Sequence, residues 1–216
     1  MGKLYAILGL SKFGRTLAEE LNKGGEEVLV VDKSDEIVAQ FADKSTHAIV
    51  ADLSDIESIK ALSLNSVDVA VVALSMNLEA SIMCIMGAKE AGVKTVIAKA
   101  KDDRMADILL RVGADKIIQP EKEVAMRTAK KFMTESFVDY FEIFESLAMV
   151  ELRPRKSWVD HSLKELNLRK EYGMNVVGIR EDDRSRVETY TDPDRKIEAD
   201  DILVVMMKSA DAKKYK

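Results

Sequence analysis

The chain has 216 residues, enough for one large domain or for two of which one is small. With 33 Lys and Arg against 38 Asp and Glu, the net charge is −5, which argues against a nucleic-acid partner. A single Cys excludes a disulfide scaffold or a Cys-rich zinc site, and no apolar run approaches the roughly 18 residues of a membrane span. The opening MGKLYAILGL runs straight into a strand-like segment without a cleavable apolar leader, so the chain reads as soluble and cytoplasmic.

Short β-rich runs then alternate with amphipathic helices. The runs are Leu4–Leu8, Val28–Asp32, Ala48–Ala51, Val69–Ala73, Thr95–Ala98 and Lys116–Ile118. Most are nearly continuous in apolar residues, as parallel strands covered on both faces require. Phe13, Leu17 and Leu21 fall four apart in the first helix, which closes at Gly24-Gly25. Ser54 with Glu57 three residues on reads as a capping box for the third helix, and the fourth starts near Asn77. Met105, Ile108, Leu109 and Val112 keep helical spacing, with Gly113 placed as a left-handed C-terminal cap. Six βα units in a row predict an α/β fold, a doubly wound parallel six-stranded Rossmann-type sheet.

The pattern changes at Pro120. Val124, Ala125, Ala129 and Phe132 make a helix that Pro120 can start, a crossover connector ending the first domain at residues 1–133. Phe137, Tyr140, Phe141 and Phe144 keep i, i+3, i+4, i+7 spacing, which predicts a second helical stretch. Its aromatics either pack on their own domain or cross onto a second subunit. Residues 134–216 read as a small α+β domain. Strands are expected at Met149–Leu152, Val176–Ile179, Val187–Tyr190 and Ile202–Met207, with a short helix at Leu163–Leu166. Glu181–Arg184 and Thr191–Asp194 read as turns.

Gly9-Leu-Ser-Lys-Phe-Gly14 follows the first strand and opens the first helix, a G-x-G-x-x-G fingerprint with Ser11 at the middle Gly. Gly9 permits the tight turn, Gly14 the close helix–strand contact, and the helix N-terminus suits a phosphate. Ser11 either donates its hydroxyl to that phosphate or pushes it outward, and Lys12 is a cation beside it. Asp32 ends the second strand 18 residues after Gly14, near the spacing of an acid that accepts ribose hydroxyls and disfavours a 2′-phosphate. Asp52 has two open readings, a partner for an adenine amino group and a plain turn residue. The loop Ala73-Leu74-Ser75 ends the fourth strand and faces the Gly turn in this strand order. Lys33, Leu53 and Asn77 adjoin these positions and complete the candidate set.

No catalytic constellation stands beside them. His47 and His161 lie near no acid or nucleophile motif, Cys84 sits among apolar helix residues, and H-E-x-x-H, G-x-S-x-G and P-loop patterns are missing. The alternatives are a small NAD-dependent oxidoreductase and a redox-sensing repressor. The first lacks an evident acid–base residue, the second a basic DNA-reading module.

GLSKFG, VLVVD, HAIVADLSD, VAVVALSMNLEAS, VIAKAKD and GADKIIQPEKEVA resemble the successive motifs of the RCK (KTN) domain of the KtrA/TrkA family. SLKELNLRKEYGMNVVGIR and EADDILVVM are similar to that family's C-terminal, TrkA-C module. The resemblance implies a non-enzymatic, potassium-transport regulatory subunit, with homodimers assembling to an octameric ring under a membrane potassium-translocating subunit. It implies a cytoplasmic location at the inner face of the membrane. An adenine nucleotide (ATP, ADP or NAD(H)) would sit among Gly9, Ser11, Lys12, Phe13, Gly14, Asp32, Asp52, Ala73, Leu74 and Ser75, with Lys99 near the phosphates. Glu121, in the family's PE motif, matches a position linked to a divalent cation (Mg²⁺ with ATP), and cyclic di-AMP is a ligand of the C-terminal module in some relatives. The family usually reads GLGRFG, so Ser11 and Lys12 are departures, and a lysine loses the bidentate fork of an arginine.

Overall fold

A computed structural model describes residues 2–74, 76–132, 137–144, 146–181, 187–189 and 192–212. The chain divides into two compact units, Met1–Glu121 and Lys122–Lys216. The division falls at the start of the connector helix, whereas the sequence reading draws it after that helix.

The first unit runs β1 (Leu4–Leu8), α1 (Lys12–Lys23), β2 (Glu27–Asp32), α2 (Asp35–Ala39), β3 (His47–Val50), α3 (Ile56–Ala61), β4 (Val69–Val72), α4 (Leu78–Glu90), β5 (Thr95–Lys99), α5 (Asp103–Val112) and β6 (Lys116–Ile118). Its six parallel strands lie in the order β3-β2-β1-β4-β5-β6. The apolar runs become strands because helices cover both faces. Leu8, Val31 and Val72 pack with Ile59, Ile85 and Leu109 of α3, α4 and α5. Their strand neighbours Ile7, Val30 and Val71 pack on the opposite face with Leu17 and Ala18 of α1. The winding reverses between β1 and β4, which opens a crevice at the carboxyl ends of those strands.

Helix starts follow the short polar residues. Ser11, Ser34, Asn77 and Asp102 each accept a backbone N–H as N-caps. One expected cap moves by a residue. Asp55, not Ser54, caps α3, its two carboxylate oxygens accepting the N–H groups of Glu57 and Ser58. A carboxylate can serve both donors at once, and the Ser54 hydroxyl is turned back to Asp52 instead.

The second unit carries most of α6 (Pro120–Phe132), then β7 (Phe137–Phe144), β8 (Leu147–Leu152), α7 (Leu163–Leu166), α8 (Leu168–Tyr172), β9 (Asn175–Glu181), β10 (Asp201–Lys208) and α9 (Ser209–Ala212). Its antiparallel sheet has the order β7-β8-β10-β9. Residues 137–144 are a strand, which corrects the expected helix. β7 pairs antiparallel with β8, so its backbone groups are satisfied by the sheet rather than by a helix. Tyr140 is buried in the core with Trp158, Leu168 and Val205, while Phe141 and Phe144 are exposed. The helical spacing of the aromatics therefore marks no common face.

The strand expected at Val187–Tyr190 reduces, among described residues, to one bridge between Glu188 and Ile179. Tyr190 and Thr191 lie outside the described residues, as do Asp182, Asp183 and Arg184 of the expected turn. Asp201 is 1% exposed and receives both guanidinium nitrogens of Arg195, at 2.6 and 2.9 Å. A buried carboxylate needs such a bidentate partner. No helix among the described residues is long and apolar enough to cross a membrane.

Candidate functional site

The Gly turn between β1 and α1 is held from three sides. Gly9 has φ +102° and its N–H donates to the Val31 carbonyl at 2.8 Å. A Cβ there would meet Leu74 Cδ2 at 2.7 Å, a side-chain end that can shift, so it is the conformation that requires glycine. Gly14 is tighter still, since a Cβ would lie 2.2 Å from the Gly9 carbonyl oxygen. Leu10 donates its N–H to Asp32 Oδ2 at 2.7 Å, tying the turn to the end of β2. Ser11 donates its hydroxyl to the Ala73 carbonyl at 3.1 Å and accepts the Gly14 N–H at 3.4 Å. Of the two sequence readings of Ser11, donation to a phosphate is not the one the geometry presents, because that proton is committed to Ala73.

The N–H groups of Lys12 and Phe13 begin α1 and have no carbonyl behind them to bond. They carry the positive end of a 12-residue helix, a setting that favours an anion. Lys12 is exposed at this end. An anion held here would be solvated on one side and bonded by backbone on the other.

Beside the turn lies a cleft of about 190 Å³ lined by Asp32, Lys33, Asp52, Leu53, Ser54, Leu74, Asn77 and Ala80. Six of these belong to the sequence-derived set. Ser54 and Ala80 do not, and only the pairing of strand ends with the α4 N-terminus reveals them. Asp32 accepts N–H groups from Leu10 and from Ser34, at 2.7 and 3.0 Å, and each oxygen keeps a further lone pair. Asp52 accepts both the N–H and the hydroxyl of Ser54, at 2.9 and 2.6 Å. The Ser54 hydroxyl, and then its N–H, hold the Asp52 carboxyl below its ordinary range. Both bonds fall on Oδ1, so Oδ2 faces no partner from Ser54. The turn role of Asp52 is thus present in full and leaves one oxygen available. Asn77 caps α4 at the rim of the cleft. Ser75 lies outside the described residues.

Lys99, at the end of β5, stands with Phe13 and Glu121. Its Nζ is 2.6 Å from Glu121 Oε1 and 5.7 Å from the Phe13 ring centroid. The Lys99 side chain is 6% exposed, so a strongly charged group is held dry beside the Gly turn. Its hydrogen bond is the main reason the Glu121 carboxyl sits below its ordinary range. The bond to Lys99 falls on Oε1 of a side chain that is 72% exposed, so the Glu121 carboxylate that the resemblance links to a divalent cation is also the partner of an ammonium. Among the described residues, no three His, Cys, Asp or Glu side chains gather to hold a metal ion. Cys84 is fully buried, and burial pushes its thiol up to about 12, far from a reactive thiolate.

Residues 5–120 match the family model of the TrkA-N domain, and residues 147–216 that of the TrkA-C domain. The chain is 31% identical over 215 residues to Ktr system potassium uptake protein C of Bacillus subtilis (strain 168), covering 100% of this chain and 96% of that protein. It is 34% identical over 178 residues to Ktr system potassium uptake protein A of Vibrio alginolyticus, covering 82% and 81%. Among solved structures it is similar to the GsuK channel bound to NAD, with a TM-score of 0.65 at 16% identity. That match covers 99% of this chain and 39% of the channel chain, and at such identity it speaks for the fold alone.

Proposed function

The chain belongs to the TrkA family, with a TrkA-N and a TrkA-C domain, and on that premise we propose that it is a nucleotide-binding regulatory subunit of a potassium-uptake system. One observation carries the nucleotide part. The Gly turn, stripped of side chains at Gly9 and Gly14, opens onto a cleft whose floor carries the Asp32 and Asp52 carboxylates. Adenosine fits this chemistry. The remaining lone pairs of Asp32 take ribose hydroxyls, Asp52 Oδ2 takes the adenine amino group, and Leu53, Leu74 and Ala80 offer apolar contact to the ring. A ribose 2′-phosphate would be repelled by Asp32, which selects against NADP(H). The phosphates reach the N–H groups of Lys12 and Phe13, with Lys12, Lys33 and Lys99 supplying positive charge.

The regulatory part follows from membership of the family. The curated relatives are named as potassium-uptake proteins, so the partner in this reading is a membrane potassium-translocating subunit, and the chain works at the cytoplasmic face. A nucleotide shifts the regulator only by binding its conformations with different affinity. The exposed Val124, Met126 and Phe132 of α6 suit contacts between copies, in a homodimer that assembles into an octameric ring. Magnesium enters this reading together with ATP, with Glu121 as the carboxylate that would meet it. Cyclic di-AMP is kept as a second ligand, at the C-terminal unit.

A thermal-shift panel with ADP, ATP, NADH, NADPH and cyclic di-AMP tests the reading. A ligand at 100 times its Kd adds about 2.7 kcal/mol of stability. Stabilisation by adenine nucleotides but not by NADPH, lost in Asp32→Ala, is expected. No shift with any adenine nucleotide would overturn it. Turnover of bound NADH with a carbonyl substrate would make the chain an enzyme instead.

A further inference from the structure

We infer that a cavity in the second unit is a binding site for an α-amino acid with an apolar side chain, separate from the nucleotide cleft of the first unit. The cavity measures about 430 Å³, within the range of small-molecule sites, and takes its lining from the end of α8, from β10 and from α9. Among the described residues its apolar surface is Met174 and Met207, which are 1% and 2% exposed. Tyr172 adds an aromatic wall, and Arg155, Glu171 and Asp211 add charge.

The charged groups are placed by the fold. Arg155 Cζ lies 5.4 Å from the Tyr172 ring centroid and 5.7 Å from that of Trp158. Those two rings meet edge to face at 5.2 Å, and Trp158 is buried in the core of the unit. Stacking on them fixes the plane of the guanidinium and the direction of its donors. Asp211 Oδ2 lies 3.6 Å from where a Cβ on Gly173 would be. Gly173 closes α8 at φ +67° without a side chain, so the carboxylate comes up to the backbone there. Tyr172 and Gly173 are consecutive, with Cα atoms about 3.8 Å apart. The cation and the carboxylate therefore flank neighbouring residues. A guanidinium has five donors and a carboxylate about four acceptor positions, so bonds within the protein leave each with capacity for a ligand.

This pattern selects a ligand class. A purely apolar molecule would strip water from the charges without replacing it, a polyanion would meet Glu171 and Asp211, and a simple cation would meet Arg155. An ammonium and a carboxylate on one carbon match charges set this close together. The carboxylate takes the Arg155 donors, and the ammonium takes Asp211 or Glu171. The side chain then lies on Met174 and Met207, thioethers that adapt to varied apolar shapes. The second unit thereby senses a small zwitterion on its own account.

Thermal shift and isothermal titration of the full chain with L-methionine, L-leucine and L-phenylalanine test this. At least one is expected to bind. Its methyl ester and its N-acetyl derivative, which each remove one charge, are expected to bind about tenfold more weakly, the worth of one hydrogen bond between charged groups. Arg155→Gln should weaken the free amino acid as the ester does, and Asp211→Asn as the N-acetyl derivative does. The two derivatives need only the wild-type protein, so that arm stands even where Arg155→Gln fails to fold. No binding of any of the three at about 10 mM to the folded wild type overturns the inference. Binding that neither derivative nor variant weakens overturns it equally, because the ligand then sits elsewhere.

Discussion

Lys99 and Glu121 meet at 2.6 Å across 22 residues of chain, joining the end of β5 to the first turn of α6, and their burial is lopsided. The Lys99 side chain is 6% exposed and that of Glu121 is 72% exposed. Removing the carboxylate leaves an ammonium dry and unpaired, whereas removing the ammonium leaves a carboxylate in water. Glu121→Ala is therefore expected to cost about 1–2 kcal/mol in urea titration, the penalty of one unsatisfied buried polar group. Lys99→Met, which keeps the buried stem, should stay within about 0.5 kcal/mol of wild type. A larger loss from Lys99→Met than from Glu121→Ala would contradict this account of the pair.

The same pair fixes a sign for acid stability. Lys99 holds the Glu121 carboxyl below its ordinary range in the folded protein. Folding therefore favours the ionised form, and the contribution is fully present above the ordinary carboxylate pKa. It is lost as pH falls through the lowered folded value. Melting temperatures measured from neutral pH down to pH 3 should fall less steeply for Glu121→Gln than for wild type. Parallel curves would show that the pair contributes nothing.

Two glycines separate space from backbone conformation. Gly25 has φ +82° and nothing within 4 Å of where a methyl would sit, so Gly25→Ala costs only the left-handed conformation, about 1–2 kcal/mol. Gly14→Ala would set a methyl 2.2 Å from the Gly9 carbonyl oxygen, in backbone that cannot swing aside. It should cost about 3 kcal/mol and abolish nucleotide stabilisation. Equal losses at the two positions in denaturant titration would count against the tight packing of the turn.

Much of the first unit was legible because its signals are redundant. Apolar runs mark all six strands, a helical period or a start signal marks α1, α3, α4 and α5, and Lys116–Ile118 and Leu4–Leu8 fall where the runs place them. The Gly turn was legible as a motif. What Ser11 does was not, since the choice between a phosphate and the Ala73 carbonyl depends on where β4 ends in space. The cap of α3 shifted from Ser54 to Asp55 because both are good caps and only geometry separates them. Residues 137–144 misled for a different reason. A run as rich in aromatic and β-branched residues as FVDYFEIF satisfies helical spacing by density alone, and a neighbouring strand decides the outcome. Ser54 and Ala80 joined the cleft through tertiary proximity, for which no local signal exists.

The strand at 137–144 makes its own prediction, because a helix would group Tyr140 with Phe144 whereas this strand, with its register shift between Glu142 and Phe144, separates them. In a helix Tyr140 and Phe144 would share one face and respond alike. In β7 Tyr140 is 4% exposed within the core around Trp158 and Leu168, while Phe144 is 67% exposed at the strand end. Tyr140→Ala is expected to cost about 3 kcal/mol, as truncation of a buried aromatic does. Phe144→Ala should remain within about 0.5 kcal/mol, as an exposed position does. Urea titration of both variants at low protein concentration decides between the two arrangements. Losses of similar size would restore the helix, and a loss confined to Tyr140 follows from the register shift between Glu142 and Phe144, which leaves Phe144 at the exposed end of the strand.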